Sequence, residues 1–257
     1  MSIEIQKSSG SQCIIFNSLD SVYKVAYTIG SVRQLRHEYI CNQAAQLDKY
    51  WSKYVVSLFY PITGVLGSKL QKQKASLNDE ALKEFLESRY RWILDQPRVC
   101  FYDAVDCQEL RKVAFQDISL SLIERIEKFI RSFPVEVGSI HGDFHVENIF
   151  INDQKIFLID WGNYHTKFWG KYDLYHLLFC DYVEKNNTSW VDNIAGFYNY
   201  QLENSSLMKF KVPKEDMICY TLSRCELEIL QDIRLNRLKD SRIKKYKLAI
   251  EKLDKFL

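Results

Sequence analysis

A chain of 257 residues, 47% of them hydrophobic, has enough apolar side chains for one large domain or for two lobes that share a cleft. Its formal charge of +2 excludes bulk electrostatics as a basis for nucleic-acid or membrane binding. No apolar run is long enough to span a bilayer, and seven scattered cysteines without a CxxC pair argue against a disulfide framework or a structural zinc site. We therefore expect a protein of the reducing cytoplasm, without a nucleic-acid partner or a transmembrane segment.

The N-terminal part of the sequence predicts an antiparallel sheet and a helix. Short runs rich in β-branched and aromatic residues are separated by turn-forming residues, and they cover residues 3–6, 13–16, 22–27 and 54–60. Between the third and fourth runs, the apolar residues of 32–47 recur at helical spacing. Pro61 and Gly64 are expected to end the fourth strand in a connection or hinge.

The remaining sequence is mainly helical, apart from one β-rich segment. Apolar spacing predicts helices at 78–95 and 117–132, and residues 148–151 and 155–159 predict a β-hairpin around a turn at 152–154. After Asp173 nearly all residues are compatible with helices, and the last stretch, 227–257, predicts a basic amphipathic helix. Strands at the start and helices afterwards indicate an α+β protein.

The strongest chemical signal is the segment HGDFHVEN at residues 141–148, followed after the hairpin by IDWG at 159–162. Phosphoryl transfer requires a carboxylate near the attacking hydroxyl and oxygen ligands that hold Mg²⁺ against nucleotide phosphates. Asp143 and Asn148 supply such groups from one loop, and the hairpin returns Asp160 beside them. An Asp and an Asn in a turn often serve only as backbone caps, but the hairpin and the second motif disfavour that interpretation.

These motifs resemble the HGDxxxxN and IDxG loops of the aminoglycoside phosphotransferase and choline kinase family, the small-molecule branch of the eukaryotic-type kinase fold. The resemblance implies an α+β, two-lobed, protein-kinase-like fold. Its small antiparallel β lobe would cover residues 1–63, and its mostly helical catalytic and acceptor-binding lobe would cover 64–257. It also implies Mg²⁺ as cofactor and ATP or GTP as phosphoryl donor, bound between the lobes.

The family roles transfer by position. Asp143 resembles the catalytic base, and Asn148 and Asp160 resemble the Mg²⁺ ligands. His141 is similar to the family histidine that packs within the loop. Asp173 resembles the Asp that begins the next helix and anchors the catalytic loop, although an ordinary N-cap has the same sequence pattern.

The resemblance also implies a nucleotide site in the N-terminal part. Lys24, within the third predicted strand, is similar to the lysine that holds the α- and β-phosphates, and Glu38 on the next helix is its natural partner. Alone, such residues usually lie on the solvated surface, but their order ahead of Asp143 favours the paired interpretation. The other predicted nucleotide contacts are the turn residues Ser9 and Gly10 and the hinge residues Tyr60 and Ile62.

The predicted activity is transfer of a γ-phosphoryl group to a hydroxyl of a small molecule, such as an aminoglycoside, a sugar or an amino alcohol. Aminoglycoside phosphotransferases bind a polycation in an acidic pocket, for which Glu226, Glu228 and Asp232 are candidates. One alternative is a protein-kinase-like enzyme, which the lack of an Ala-Pro-Glu segment after Asp160 disfavours. A second is a glycan- or lipid-linked kinase, which stays open. A third is a non-catalytic nucleotide-binding pseudokinase, which the intact motif residues disfavour. The acceptor, the choice between ATP and GTP and the oligomeric state stay open.

Overall fold

The structure is a computed structural model that describes residues 4–8, 12–17, 21–69, 74–203 and 213–257. Its strands are β1 Glu4–Ser8, β2 Cys13–Asn17, β3 Ser21–Ala26, β4 Leu58–Ile62, β5 Val65–Lys69, β6 Arg98–Cys100, β7 Pro134–Ile140, β8 Ile149–Asn152, β9 Lys155–Leu158 and β10 His165–Trp169. Its α-helices are α1 Ile29–Leu47, α2 Glu80–Leu94, α3 Phe101–Ala104, α4 Gln108–Ala114, α5 Leu120–Ser132, α6 Tyr172–Asn186, α7 Ile194–Glu203, α8 Lys214–Arg234 and α9 Asp240–Glu251. Short 3₁₀ helices cover Trp51–Lys53, Val146–Asn148 and Lys252–Lys255.

The N-terminal sheet is antiparallel, with the strand order β1-β2-β3-β5-β4. The expected connection after Tyr60 is instead a tight hairpin, because Ile62 pairs with Val65 across a turn at Thr63 and Gly64. Pro61 does not end the strand. It lies on the edge strand β4, where the pairing register shifts between Phe59 and Ile62 and no ladder hydrogen bond is needed from its nitrogen.

Helix α1 begins at a defined cap. The backbone N–H of Ser31 donates to the Thr28 hydroxyl at 3.0 Å, and the backbone N–H of Thr28 donates to the Ser31 hydroxyl at 3.0 Å. This reciprocal capping box satisfies two of the amide groups that a helix start leaves without an intrahelical acceptor. It starts the helix at Ile29 and thereby sets which face, including Leu35 and Glu38, is buried.

The predicted hairpin is present as β8 and β9. Asn152 pairs with Lys155, and the two residues between them, Asp153 and Gln154, have φ values of 48° and 65°. A two-residue turn with positive φ at both positions matches the twist of the flanking strands. The hairpin therefore returns the chain to the level of Asn148, which is where the second motif begins.

Contacts divide the chain into two compact units. The first contains Met1–Phe85, His141–Thr166 and Gln231–Arg237, and the second contains Leu86–Ile140, Lys167–Leu230 and Leu238–Leu257. The predicted boundary at residue 63 falls inside the N-terminal sheet, between β4 and β5, and the first unit includes both chemical motifs. The assignment of the two predicted lobes to nucleotide and acceptor binding stays a prediction.

The second unit has a large helical core. Residues of α5, α6, α8 and α9, such as Ile126, Phe179, Leu222 and Tyr246, are buried in one hydrophobic cluster. The single basic helix expected at 227–257 is wrong: α8 ends at Arg234 and α9 begins at Asp240, with Asn236 between them at a φ of 53°. In the described part of the chain, no helix combines the length and apolarity required to cross a bilayer.

Candidate active site

Lys24 lies on one face of the N-terminal sheet together with apolar side chains. It pairs with Leu66 across β3 and β5, and Val22, two positions earlier, pairs with Ser68. Residues opposite each other, and residues two apart, share a face of a sheet. The side chain of Lys24 therefore lies on the same face of the sheet as those of Val22 and Leu66.

The predicted ion pair between Lys24 and Glu38 is present. The Lys24 Nζ lies 2.8 Å from Glu38 Oε1 and 3.1 Å from Oε2, and it also lies 2.6 Å from Oδ1 of Asp160. The Glu38 side chain is only 3% exposed, whereas that of Asp160 is 38% exposed. The ammonium group thus joins a buried carboxylate on α1 to a more accessible one that follows β9.

This arrangement shifts the pKa values of both buried partners. Burial by itself lowers the pKa of Lys24, but the neighbouring carboxylates of Asp160 and Glu38 outweigh it and hold that pKa above its ordinary value. Burial, reinforced by the charge of Asp160 and opposed by Lys24, raises the pKa of Glu38 to about 7. Lys24 is therefore a fixed positive charge at this site.

An open cavity in the first unit lies directly over these charges. Its apolar lining comes from the N-terminal sheet and the β8–β9 hairpin: Val22, Leu58, Leu66, Phe150 and Ile159. Lys24, Glu38 and Asp160 line it as well. Apolar walls beside a few convergent polar groups are typical of a small-molecule or cofactor site.

The buried side chain of His141 supports the loop that carries Asp143. The imidazole is fully buried, its Nε2 lies 2.8 Å from the carbonyl oxygen of Ile159, and its ring packs 4.5 Å from that of Trp161. The backbone N–H of Asp143 donates to His141 Nδ1 at 3.3 Å. His141 therefore joins the loop that carries Asp143 to the segment that carries Asp160.

Asn148 fixes the position of Asp143. Its Nδ2 donates to the backbone carbonyl of Asp143 at 2.9 Å and lies 3.3 Å from Asp143 Oδ2. The same nitrogen is 3.0 Å from His145 Nε2, which accepts this hydrogen bond. The Asp143 side chain stays 36% exposed, so its carboxylate is accessible to a second molecule.

Asn148 and Asp160 are brought together by the hairpin. The backbone N–H of Ile159 donates to the carbonyl of Asn148 at 3.1 Å, and Asp160 then turns out of the strand with a φ of 64°. Asp and Asn tolerate this left-handed conformation better than most residues. Asn148 and Asp160 therefore lie at the two neighbouring ends of the hairpin, one before β8 and one after β9.

The donor set of these two residues fits a hard divalent cation. Asp160 offers carboxylate oxygens, and the amide of Asn148, whose nitrogen faces Asp143, offers a carbonyl oxygen. Within the described ranges, no group of three or more His, Cys, Asp and Glu side chains is arranged to hold a metal by itself. A Mg²⁺ ion here would therefore need phosphate and water oxygens as further ligands, which is its usual coordination in proteins.

Two glycines allow the motif loops to pack closely. Gly142 has a φ of 82°, and a Cβ there would overlap the carbonyl oxygen of Asn163. A Cβ at Gly162 would lie 2.8 Å from Nε2 of Gln34 on α1. The absence of side chains at these positions lets the Asp160 loop contact both the Asp143 loop and α1.

Comparison with known proteins agrees with this geometry. The sequence model of the APH group, described as the phosphotransferase enzyme family, matches residues 67–205, which is more than half of the chain and includes both motifs. The chain belongs to the phosphotransferase enzyme family. At the level of the family, the prediction of a phosphotransferase is confirmed.

Solved structures share the fold of this phosphotransferase at low sequence identity. A choline kinase from Streptococcus pneumoniae is 15% identical with a TM-score of 0.57, over 99% of this chain and 94% of that one. A thermostable mutant of the aminoglycoside phosphotransferase APH(4)-Ia is 10% identical with a TM-score of 0.52, over 100% and 94%. The GDP complex of aminoglycoside 2'-phosphotransferase-IIIa is 12% identical with a TM-score of 0.51, over 99% and 93%. These likenesses confirm the predicted α+β, protein-kinase-like fold. A search of curated proteins found no match to the sequence.

Of the four predicted nucleotide contacts in the N-terminal part of this phosphotransferase, the structure places two, Tyr60 and Ile62, and neither lines the cavity. Ser9 and Gly10 lie outside the described residues. Tyr60 stacks on Tyr39 at 5.6 Å and accepts a hydrogen bond from the N–H of Gly64, while Ile62 is 65% exposed. Tyr60 and Ile62 belong to the β4–β5 hairpin, and the residues of this hairpin that line the cavity are Leu58, Leu66, Gly67, Ser68 and Lys69.

Asp173 is neither an exposed surface residue nor the N-cap of α6. It occupies the first turn of α6, after the cap residue Lys171, and is 1% exposed. Its Oδ2 lies 3.8 Å from Nη2 of the buried Arg89, which also donates to the carbonyl of Ser139 at 2.5 Å. Arg89 and Asp173 thus support the end of β7, immediately before the His141 loop begins.

The acidic patch expected from Glu226, Glu228 and Asp232 is wrong, because each carboxylate has an internal partner. Glu226 is 3% exposed and accepts the backbone N–H of Leu110 at 2.7 Å. Glu228 pairs with Arg224 at 3.0 Å and Lys245 at 2.7 Å, and Asp232 pairs with Arg237 at 3.2 Å. Cations within the fold neutralise Glu228 and Asp232, and Glu226 is buried against backbone N–H groups, so these carboxylates are not arranged to receive a polycation.

Sequence patterns did not indicate every residue near the motifs. The position of Phe150 in the cavity lining could have been predicted from strand alternation in β8. Its neighbours Ile149 and Ile151 are both buried, so Phe150 lies on the other face of the hairpin. The only sequence feature that indicated Gln34 was its spacing, since it lies one helical turn before Glu38 and so on the same face of α1. No sequence feature indicated Arg234, because its partner Asn163 lies 71 positions away in the sequence. The Arg234 Nη2 donates a hydrogen bond to Oδ1 of Asn163 at 2.8 Å.

Proposed function

We propose that this protein transfers the γ-phosphoryl group of ATP or GTP to a hydroxyl of a small molecule, with Asp143 as the catalytic base. The observation that supports this most directly is the ion-pair set in which Lys24 contacts both Glu38 and Asp160 under an apolar cavity. A purine ring fits the apolar walls, and polyanionic phosphates fit the fixed charge of Lys24.

Each residue has one proposed task. Lys24, oriented by Glu38, binds the nucleotide phosphates, and Asn148 and Asp160 supply oxygen ligands for Mg²⁺. The bound ion would neutralise charge on the phosphates during transfer. Asn148 also holds Asp143 through the hydrogen bond to its backbone carbonyl.

The proposed step balances as an in-line displacement. The acceptor oxygen forms a bond to the γ-phosphorus, the bond from that phosphorus to the bridging oxygen breaks, and the nucleoside diphosphate leaves. The hydroxyl proton passes to the exposed carboxylate of Asp143. Because the reaction needs little covalent chemistry from the protein, positioning and charge supply most of the rate.

The acceptor class is proposed more broadly than the reaction. The internal pairing of Glu226, Glu228 and Asp232 removes the charge-based reason to favour an aminoglycoside. The fold is shared with a choline kinase and with aminoglycoside phosphotransferases, so these two acceptor types begin the screen, followed by sugars and nucleosides.

The test is nucleotide turnover by purified protein with Mg²⁺ and either ATP or GTP, measured as diphosphate release across the acceptor panel. We expect Asp143→Asn and Asp160→Ala to lower the rate by about 100-fold or more. Asp153→Asn is the matched control, because Asp153 is an exposed residue of the same hairpin whose φ of 48° suits Asn. Turnover that is equal in wild type and both motif variants would contradict the proposal.

A further inference from the structure

Arg234, at the end of α8, contacts the two elements that carry the carboxylate partners of Lys24. Its Nη1 lies 2.9 Å from Nε2 of His37, the residue before Glu38 on α1. Its Nη2 donates to Oδ1 of Asn163 at 2.8 Å and lies 3.4 Å from the carbonyl of Gly162, just after Asp160. One planar guanidinium group therefore spans α1 and the Asp160 loop.

His37 completes this arrangement. Burial, strengthened by the charge of Arg234, lowers the pKa of His37 to about 4, so its imidazole is neutral and Nε2 accepts from Arg234. The same imidazole hydrogen-bonds the backbone of Gly162. Arg234 and His37 thus both contact the backbone of Gly162, where an added Cβ would meet Nε2 of Gln34.

The charge state of Arg234 makes a purely structural role unfavourable. Within the described residues, no carboxylate forms an ion pair with it, although it is largely buried, and its Nε has no hydrogen-bond partner there. A buried charge without a counter-ion costs free energy, and an apolar side chain of similar length would avoid that cost. Groups with such a cost are common at functional sites.

We propose that Arg234 is a positioning residue that sets the distance between Glu38 and Asp160, and so prepares Asp160 for the metal. The planar fork of arginine suits this task, since it donates to His37, Asn163 and Gly162 in a fixed geometry that lysine cannot reproduce. Residues that orient metal ligands commonly affect metal affinity about 10- to 100-fold without touching the metal. This inference rests on the proposed function of Asp160.

The first experiment measures amide hydrogen exchange without nucleotide or metal. In Arg234→Met, exchange should accelerate at residues 160–164 and 34–38, and in Arg234→Lys it should accelerate less. Arg36→Met is the matched control, since Arg36 is an exposed arginine of α1 directly before His37. Unchanged exchange in Arg234→Met, or equal acceleration in Arg36→Met, would overturn the inference.

The second experiment separates metal use from nucleotide binding. In Arg234→Met, the Mg²⁺ concentration for half-maximal turnover should rise by about tenfold, while the affinity for nucleotide in EDTA stays as in wild type. A loss of metal-free nucleotide affinity parallel to the loss of rate would indicate general loosening and refute the positioning role. If wild-type protein turned over no nucleotide, the proposed function would fail, whereas the exchange experiment would still test whether Arg234 fixes the loop.

Discussion

The Nζ atom of Lys24 lies closer to Oδ1 of Asp160, at 2.6 Å, than to either carboxylate oxygen of Glu38. The ammonium group therefore has two carboxylates within ion-pair distance, of which only Asp160 is substantially exposed. Because Glu38 is almost fully buried, it depends on Lys24 for charge compensation much more than Asp160 does.

Removal of Lys24 should therefore destabilise the fold through Glu38. We expect Lys24→Met to lower the free energy of unfolding by about 3 kcal/mol, the usual order for leaving a buried carboxylate without its partner. The double variant Lys24→Met/Glu38→Gln should recover most of this loss, because Gln needs no counter-ion and does not have to take up a proton on folding. Urea denaturation of the four proteins in the cycle measures the coupling.

Asp160 provides the control for this cycle. Lys24→Met/Asp160→Asn should recover little stability, since the carboxylate of Asp160 is 38% exposed and water solvates it when Lys24 is absent. Equal recovery by the Glu38 and Asp160 changes would show that burial does not decide which partner depends on Lys24.

Gly142 should be intolerant of a side chain for a steric reason. Its φ of 82° strains any other residue by about 1–2 kcal/mol, and a Cβ would also overlap the carbonyl oxygen of Asn163. We expect Gly142→Ala to cost more than about 2 kcal/mol in the free energy of unfolding and to lower turnover by about 100-fold, because the Asp143 and Asp160 loops must separate.

Gly64 allows the two contributions to be separated. Its φ of 84° is nearly the same, but a Cβ there would meet only Val32 Cγ2 at 3.4 Å and Ala26 Cβ at 3.7 Å. Gly64→Ala should therefore show the backbone cost alone, about 1 kcal/mol, with turnover like that of wild type. If both alanine variants lost stability and turnover equally, the overlap with Asn163 would not be the cause.

The local parts of the site were predictable from the sequence. The β8–β9 hairpin follows from two short strands around Asn152-Asp153-Gln154, a short-range pattern that can be read from the sequence. The pairing of Lys24 with Glu38 was implied by the family resemblance, since by themselves the two residues would be expected on the solvated surface. The Asp143 and Asn148 contacts lie within one loop and are equally local.

The incorrect or missing predictions have different physical origins. Strand β5 was missed because Pro61 appeared to stop the preceding strand, although an edge strand tolerates proline. The acidic patch was predicted from charges whose partners, such as Lys245 for Glu228, are set only by tertiary packing. Arg234 reaches the Asp160 loop across 71 positions, and no local pattern encodes such a contact.

The neighbouring acids of α8 should respond to pH in opposite directions. Burial raises the pKa of Glu226 from 4.5 to about 7. Hydrogen bonds from the backbone N–H groups of Leu110 and Glu109 oppose this increase but are outweighed by burial. Burial also disfavours the charged form of Glu228, but Arg224 and Lys245 outweigh it and hold its pKa below 4.5. One helix therefore carries a carboxylate that prefers its proton and, two positions later, one that prefers its charge.

Between pH 4.5 and about 7, the folded protein keeps a proton on Glu226 that the unfolded chain has already released. This group therefore lowers the free energy of unfolding as the pH rises through that interval, by about 2 kcal/mol between roughly pH 5 and pH 8. Glu226→Gln lacks this titration, so it should gain stability relative to wild type at the higher pH. Glu228 titrates in a lower window: its charge stabilises the fold fully above about pH 4.5, and this contribution is lost as the pH falls below that value. Glu228→Gln should therefore lose stability relative to wild type as the pH rises from below 4.5 to 5, and change little between pH 5 and pH 8. Urea denaturation below pH 4.5, at pH 5 and at pH 8 measures both differences, and a gain relative to wild type with rising pH in both variants would mean that burial alone, without the contacts to Arg224 and Lys245, governs these carboxylates.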